Sequence, residues 1–220
     1  MFDALKRLID PDRVESPDAR VLQSWAKAEG HAFKHVKDKT TGGHVVEAAS
    51  GWRVEWGDSQ RPYIIGKELR FRAETGIPPD VQLILVSRVV AQALESEVFS
   101  SFTNPMQTQI DNTLPEEMRW LAMHPQVDLP VDSVLARRYA LFTNAEQVIA
   151  HLLDPETSRA LEEAAISWWS DSLVMVVTLN RGMLTARMAG QPLAIPQLKL
   201  VGGLFAQLAA RLRVVARLVA

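Results

Sequence analysis

Apolar and polar residues alternate most cleanly in Trp52-Arg53-Val54-Glu55-Trp56. Successive side chains of an extended chain point to opposite faces, so both tryptophans and Val54 share one face and Arg53 and Glu55 the other. Residues 68–74 repeat the pattern, with Leu69, Phe71 and Ala73 against Glu68, Arg70, Arg72 and Glu74. The two segments predict an antiparallel pair with one dry face and one wet face. The connection between them, 57–67, is too long for a tight hairpin. Short strands are expected over 31–36 and 44–49, joined by a polar turn around Gly42 and Gly43. The apolar run 81–86 predicts a buried strand. Residues 138–142 and 173–179 predict two more, and Asn180-Arg181-Gly182 turns the chain back into a partner over 183–188.

Helical spacing occupies the rest. Ser16-Pro17-Asp18 combines a capping serine, a proline suited to the first helical position and an early acid. Val21, Leu22, Trp25 and Ala28 then form one face, and Gly30 ends it. Val90, Leu94, Val98 and Phe102 recur every four residues on a second helix. Asn144-Ala145-Glu146-Gln147 reads as a variant capping box opening a helix to Leu153, and Asp154-Pro155 opens another to about Ile166. A helix over 197–220 closes the chain, after a helical turn or two from Val131 and a stretch, 118–123, whose pattern assigns neither helix nor strand. The sum is an α+β fold, mostly antiparallel sheet with packed helices, arranged as two similar lobes. The expected divisions are 1–102, a connecting segment 103–117 rich in turn residues, and 118–220.

Arg138-Tyr-Ala-Leu-Phe142, Leu152-Leu-Asp-Pro-Glu156, Leu173-Val-Met-Val-Val177 and Gly182-Met-Leu184 follow one another as strand, helix and two-strand hairpin. In this order the C-terminal half resembles bacterial proteins known only as domains of unknown function. The resemblance implies a bacterial α+β protein and carries no activity, cofactor or functional residue.

Composition removes several classes. The 220 residues contain 47% apolar and 23% charged side chains and no cysteine, which excludes thiol nucleophiles, cysteine-ligated zinc and iron–sulfur clusters. A net charge of −2 gives no reason to expect nucleic acid. Phe2, Leu5, Leu8 and Ile9 stand at helical spacing before Pro11, and the start lacks the long apolar run of a signal peptide, so a cytoplasmic protein is expected. Charge is unevenly placed: Asp171 is the last acidic residue, while Arg181, Arg187, Lys199, Arg211, Arg213 and Arg217 follow it. Leu204, Leu208, Leu212, Val215 and Val219 form one arc of the final helix with Arg213 and Arg217 opposite. The protein's own sheet is the expected cover for that arc, ahead of a second copy or an anionic membrane surface.

Few residues offer chemistry. His31 and His35 lie four apart on a predicted strand, about 13 Å from each other and too far to share an ion. With His44 across the turn and no carboxylate beside them, no metal is expected. Neither a Gly-x-Ser-x-Gly elbow nor a His-Glu-x-x-His helix occurs. Gly202-Gly203 precedes Leu204-Phe205 rather than the Lys-Ser/Thr of a phosphate loop, and close helix packing explains the glycines better. The six tryptophans read as core, with one of Trp168 and Trp169 turned outward. The charged face of 52–74 reads as a solvated cross-strand ladder. The loop after Trp56 gathers Asp58, Ser59, Arg61 and Tyr63, an acid, a hydroxyl, a guanidinium and a phenol, and is the candidate ligand-binding site. With no catalytic constellation and no cofactor expected, the first reading is a non-catalytic interaction or accessory module with a protein partner or a second copy. An enzyme or small-ligand binder using the 58–63 loop is the second reading. A peripheral membrane protein attached by the basic C-terminal helix is the third.

Overall fold

The computed structural model describes residues 16–37, 42–103, 115–190 and 192–219. The N-terminal segment around Phe2 and Leu5, the turn at 38–41 and most of the connecting segment lie outside them. Strands β1 (Ala32–Lys37), β2 (Gly42–Ala48), β3 (Trp52–Asp58), β4 (Lys67–Glu74), β5 (Leu83–Ser87), β6 (Tyr139–Thr143), β7 (Met175–Asn180) and β8 (Met183–Ala189) build the sheet. They form one 8-stranded sheet in the order β1-β2-β3-β4-β8-β7-β5-β6, with every neighbouring pair antiparallel. The fold is therefore α+β. The part of the chain before residue 103 supplies β1–β5 and the part after it β6–β8. The sheet interleaves them, with β8 beside β4 and β5 between β7 and β6.

Helices α1 (Pro17–Ala28), α2 (Arg88–Thr103), α3 (Glu116–Met123), α4 (Val134–Arg138), α5 (Glu146–Leu152), α6 (Pro155–Ser167) and α7 (Ile195–Val219) cover the sheet unequally. Ser16 caps α1 by accepting from the Ala19 amide at 3.2 Å, and Asp154 caps α6 by accepting from the Thr157 amide at 2.8 Å. α1 packs on β1 and β2, and α7 on β4, while α5 and α6 pack on α7. Together they bury one face of the sheet from β2 to β6, from Val46, Trp52, Val54 and Trp56 to Tyr139 and Leu141, with Phe33 of β1 partly packed against it. The apolar arc of α7 belongs to this core: Leu204, Leu208, Leu212 and Val215 are buried and Val219 packs partly against it. Gly202 lets α7 come close to the sheet, because a Cβ there would stand 3.2 Å from the Trp25 ring and 3.6 Å from Trp52. Gly203 faces open space, so packing explains only one of the two glycines.

The opposite face is covered at one end only. Ile84, Val86, Ala140, Phe142 and Val176, from β5, β6 and β7, meet α2 and α3 in a second core with Val90, Leu94, Met118 and Trp120. Over β1–β4 and β8 no helix lies on this face among the described residues.

Several expectations change. Residues 118–123 belong to helix α3, whose first turn begins with Glu116 and Glu117 after Pro115. Asn144 does not cap α5. Its side chain accepts from the Gln82 amide and donates to the Asp80 carbonyl, both at 2.8 Å, and Thr143 Oγ1 accepts from the Ala145 amide instead. Trp169 is buried, and Trp168 is half-buried and stacked on it. The basic side of α7 is partly used internally. Arg213 donates to the carbonyls of Glu74, Ser50 and Gly51, and Arg211 donates to the His151 carbonyl and pairs with Asp154. No helix among the described residues is long and apolar enough to cross a membrane.

Candidate functional site

The open face follows directly from the strand register. β3 and β4 pair so that Trp52, Val54 and Trp56 align with Ala73, Phe71 and Leu69 on the buried side. Every intervening residue then points to the other side. Glu55 stands opposite Arg70, Arg53 opposite Arg72, and Gly57 opposite Glu68. β8 extends the rows, with Arg187 opposite Arg70 and Thr185 opposite Arg72. β2 extends them the other way, with Val45 opposite Glu55 and Glu47 opposite Arg53.

The ladder is denser and drier than a solvated face. Glu55 receives three guanidiniums: Arg53 at 2.9 Å, Arg70 at 2.7 Å through Nε, and Arg72 at 3.7 Å. Glu68 is only 2% exposed and holds Arg187 at 2.7 Å and Arg70 at 3.4 Å. Arg70 also donates to the Gln60 side chain. Burial lowers the Arg187 pKa from its ordinary value, and the cations of Arg61 and Arg70 push the same way against the support of Glu68. At the rim, Lys34 pairs with Glu47 and Lys67 with Asp58, each at 2.6 Å.

The loop after β3 splits the four predicted site residues. Asp58, exposed at the end of β3, borders a depression beside the open face and is held by Lys67. Ser59 Oγ stays within the loop, accepting from the Arg61 amide and donating to the Arg61 carbonyl, both at 3.0 Å. Arg61 and Tyr63 turn away toward α3. The Arg61 guanidinium donates to Glu117 Oε1, and the Tyr63 hydroxyl donates to the same oxygen at 2.5 Å. Burial opposes the Arg61 charge, but the Glu117 carboxylate outweighs it and raises the pKa; burial and the same carboxylate push the Tyr63 phenol up, so it remains a neutral donor. Glu117 was not singled out by sequence, yet it is buried and anchors the loop. The signal available was its place in the first turn after a proline.

Two depressions mark the open face. One, of about 400 Å³, is lined by residues that include Lys34, Gly43, Arg53, Gly57, Gln60 and Arg70. The second, of about 390 Å³, includes Arg53, Arg72 and Glu74, and both are bordered by Glu47 and Arg53. His44 borders the first depression, and its ring stacks on Phe33. His35 and His44 meet across β1 and β2 with Nδ1 atoms 3.3 Å apart, on the side of the sheet that carries Phe33. Among the described residues no three histidine or carboxylate side chains gather as a metal site would require.

No protein-family model matches the chain, and no curated protein matches it in sequence. Among solved structures, the mycobacterial trehalose monomycolate transport factor A, TtfA, is similar in fold, with a TM-score of 0.50 at 11% identity, over 90% of this chain and 96% of that one. This likeness supports the α+β architecture.

Proposed function

We propose that this chain is a non-catalytic interaction module and that the open half of the sheet, over β1–β4 and β8, is its contact surface. The observation that carries the reading is the uneven cover of the sheet: one face is packed from β2 to β6, while the other, among the described residues, has no helix over five strands and carries an ordered charged lattice. The arginines there hold carboxylates rather than activate a nucleophile, and arginine does not exchange its proton in the working pH range. TtfA, which has a similar fold, is a transport factor. We carry over an accessory role of that general kind and no cargo.

A small-ligand site at the 58–63 loop is the second reading, favoured by Asp58 and Gln60 lining the larger depression. Arg61 and Tyr63 support it less, because Glu117 engages both.

Site-specific photo-crosslinking in the source cells tests the first reading. A photoreactive residue at Arg53, on the open face, is expected to give a discrete protein adduct. The same residue at Glu163, exposed on α6 beyond the packed face, is expected to give none. Adducts at neither position, or equally at both, would remove the open face as the contact surface.

A further inference from the structure

Two imidazoles meet on the β1–β2 pair. Spacing along β1 sets His31 too far from His35 to share an ion, and the His31 ring packs edge-on against Trp25 and Trp52. The register supplies a different partner, because His35 stands directly opposite His44. Side chains directly opposed on antiparallel strands share one face of the sheet with Cβ atoms about 4.5–5.5 Å apart. The His44 ring is held in place by Phe33, stacked on it at 19° with ring centres 5.6 Å apart. Its neighbour on β3 is the buried Trp56, so the pair lies on the side of Trp56 and not on that of the charged ladder. His35 is exposed and His44 half-buried, which leaves the pair open to ions from solution.

Distance decides what the two rings can do together. Their Nδ1 atoms are 3.3 Å apart and their centres 5.0 Å apart. Two ring nitrogens bound to one tetrahedral zinc ion, each at about 2.0–2.1 Å, stand about 3.3 Å from one another with ring centres about 5 Å apart. A square-planar ion would draw the same nitrogens to about 2.9 Å. Each imidazole can carry its proton on Nε2, which frees the Nδ1 lone pair for a metal. Imidazole suits zinc, whereas magnesium and calcium take oxygen ligands.

We infer that His35 and His44 bind a zinc ion between their Nδ1 atoms, with water in the two remaining positions. Strand pairing fixes the separation of the two ligands, so little rearrangement accompanies binding. Two protein ligands are fewer than the three or four that hold a resident zinc ion. The ion therefore exchanges with solution, and the affinity is micromolar. The inference is separate from the interaction-module reading, and neither depends on the other.

Calorimetric titration of zinc chloride into the untagged full chain tests it. One zinc ion per chain is expected to bind with a micromolar Kd, and magnesium chloride is expected to give no binding heat. His35→Ala is expected to weaken zinc binding at least about tenfold. It should keep the metal-free melting temperature of the wild type, because the side chain is exposed. His44→Ala is expected to show the same loss; if it also melts lower through the lost Phe33 contact, His35→Ala alone decides. His151→Ala, which removes an exposed histidine on α5, is expected to bind zinc as the wild type does. The inference is overturned if no zinc binds below millimolar concentration, which would leave the two rings as a hydrogen-bonded pair only. It is equally overturned if His35→Ala retains the wild-type affinity, or if His151→Ala loses as much as His35→Ala.

Discussion

Glu117 shows how much one side chain decides. It is buried beneath the long loop and takes both Arg61 and Tyr63 on one oxygen, tying residues 61–63 to α3. Removing the carboxylate strands a largely buried guanidinium and a phenol without its acceptor. Such losses cost about 3 kcal/mol. Glu117→Ala is expected to lower unfolding stability in urea by that order, and Glu117→Gln by less, since an amide oxygen still accepts. A change under about 1 kcal/mol, the range of ordinary surface substitutions, would show that the tie is idle. Asp58 and Ser59, by contrast, are engaged by Lys67 and by the loop's own backbone, which explains why a cluster that looks reactive in sequence divides into three separate environments.

Element boundaries follow from caps where the capping side chain has no better partner. Asp154 holds the first turn of α6 through the Thr157 amide, and that bond, reinforced by Arg211, sets its pKa below the ordinary carboxyl value. A depressed carboxyl pKa contributes stability above the unfolded pKa, and the contribution is lost as pH falls through the folded value. Asp154→Ala is therefore expected to cost about 1 kcal/mol near neutrality. The difference from wild type should vanish in acid. Thermal melts of both proteins across pH 2–7 (a range spanning the ordinary carboxyl pKa of ~3.9) check this, and a difference that persists at the acid end would overturn the capping account. Asn144 has the same local credentials but is drawn to the backbone of Asp80 and Gln82, so α5 starts without it. α3 has only 8 residues, too short for its spacing to separate helix from strand. The Asn180–Met183 hairpin was legible because Arg181 and Gly182 take positive φ, 50° and 72°, as a two-residue turn of this kind demands.

At the scale of the molecule, α7 links the parts. Its arc fills the main core, Arg213 ties it to the ends of β2 and β4, and Arg211 ties it to the start of α6. Leu208 is 3% exposed in that core. An unpaired carboxylate there has no compensation, so Leu208→Asp is expected to abolish cooperative folding of the monomer, read as loss of near-ultraviolet circular dichroism. A folded Leu208→Asp protein altered only in self-association or vesicle binding would make α7 an interaction surface instead.

The sequence by itself determined which side of β3 and β4 is dry, where α1 and α6 begin, and that α7 carries a core-facing arc. Each of these depends on spacing within one segment, and side-chain periodicity is a local property of the backbone. Tertiary structure decided that β4 pairs with β8 and that β5 lies between β7 and β6, because periodicity states which face a strand buries and not which strand lies beside it. It also decided the site. The residues of the charged ladder on β3 and β4 were legible, but their burial was not, since it depends on Arg187 arriving from β8 and on Glu117 drawing the loop over the end of the sheet. The joint burial of Glu55, Glu68, Arg70 and Arg187 is a consequence of that assembly, and no single segment of the chain encodes it.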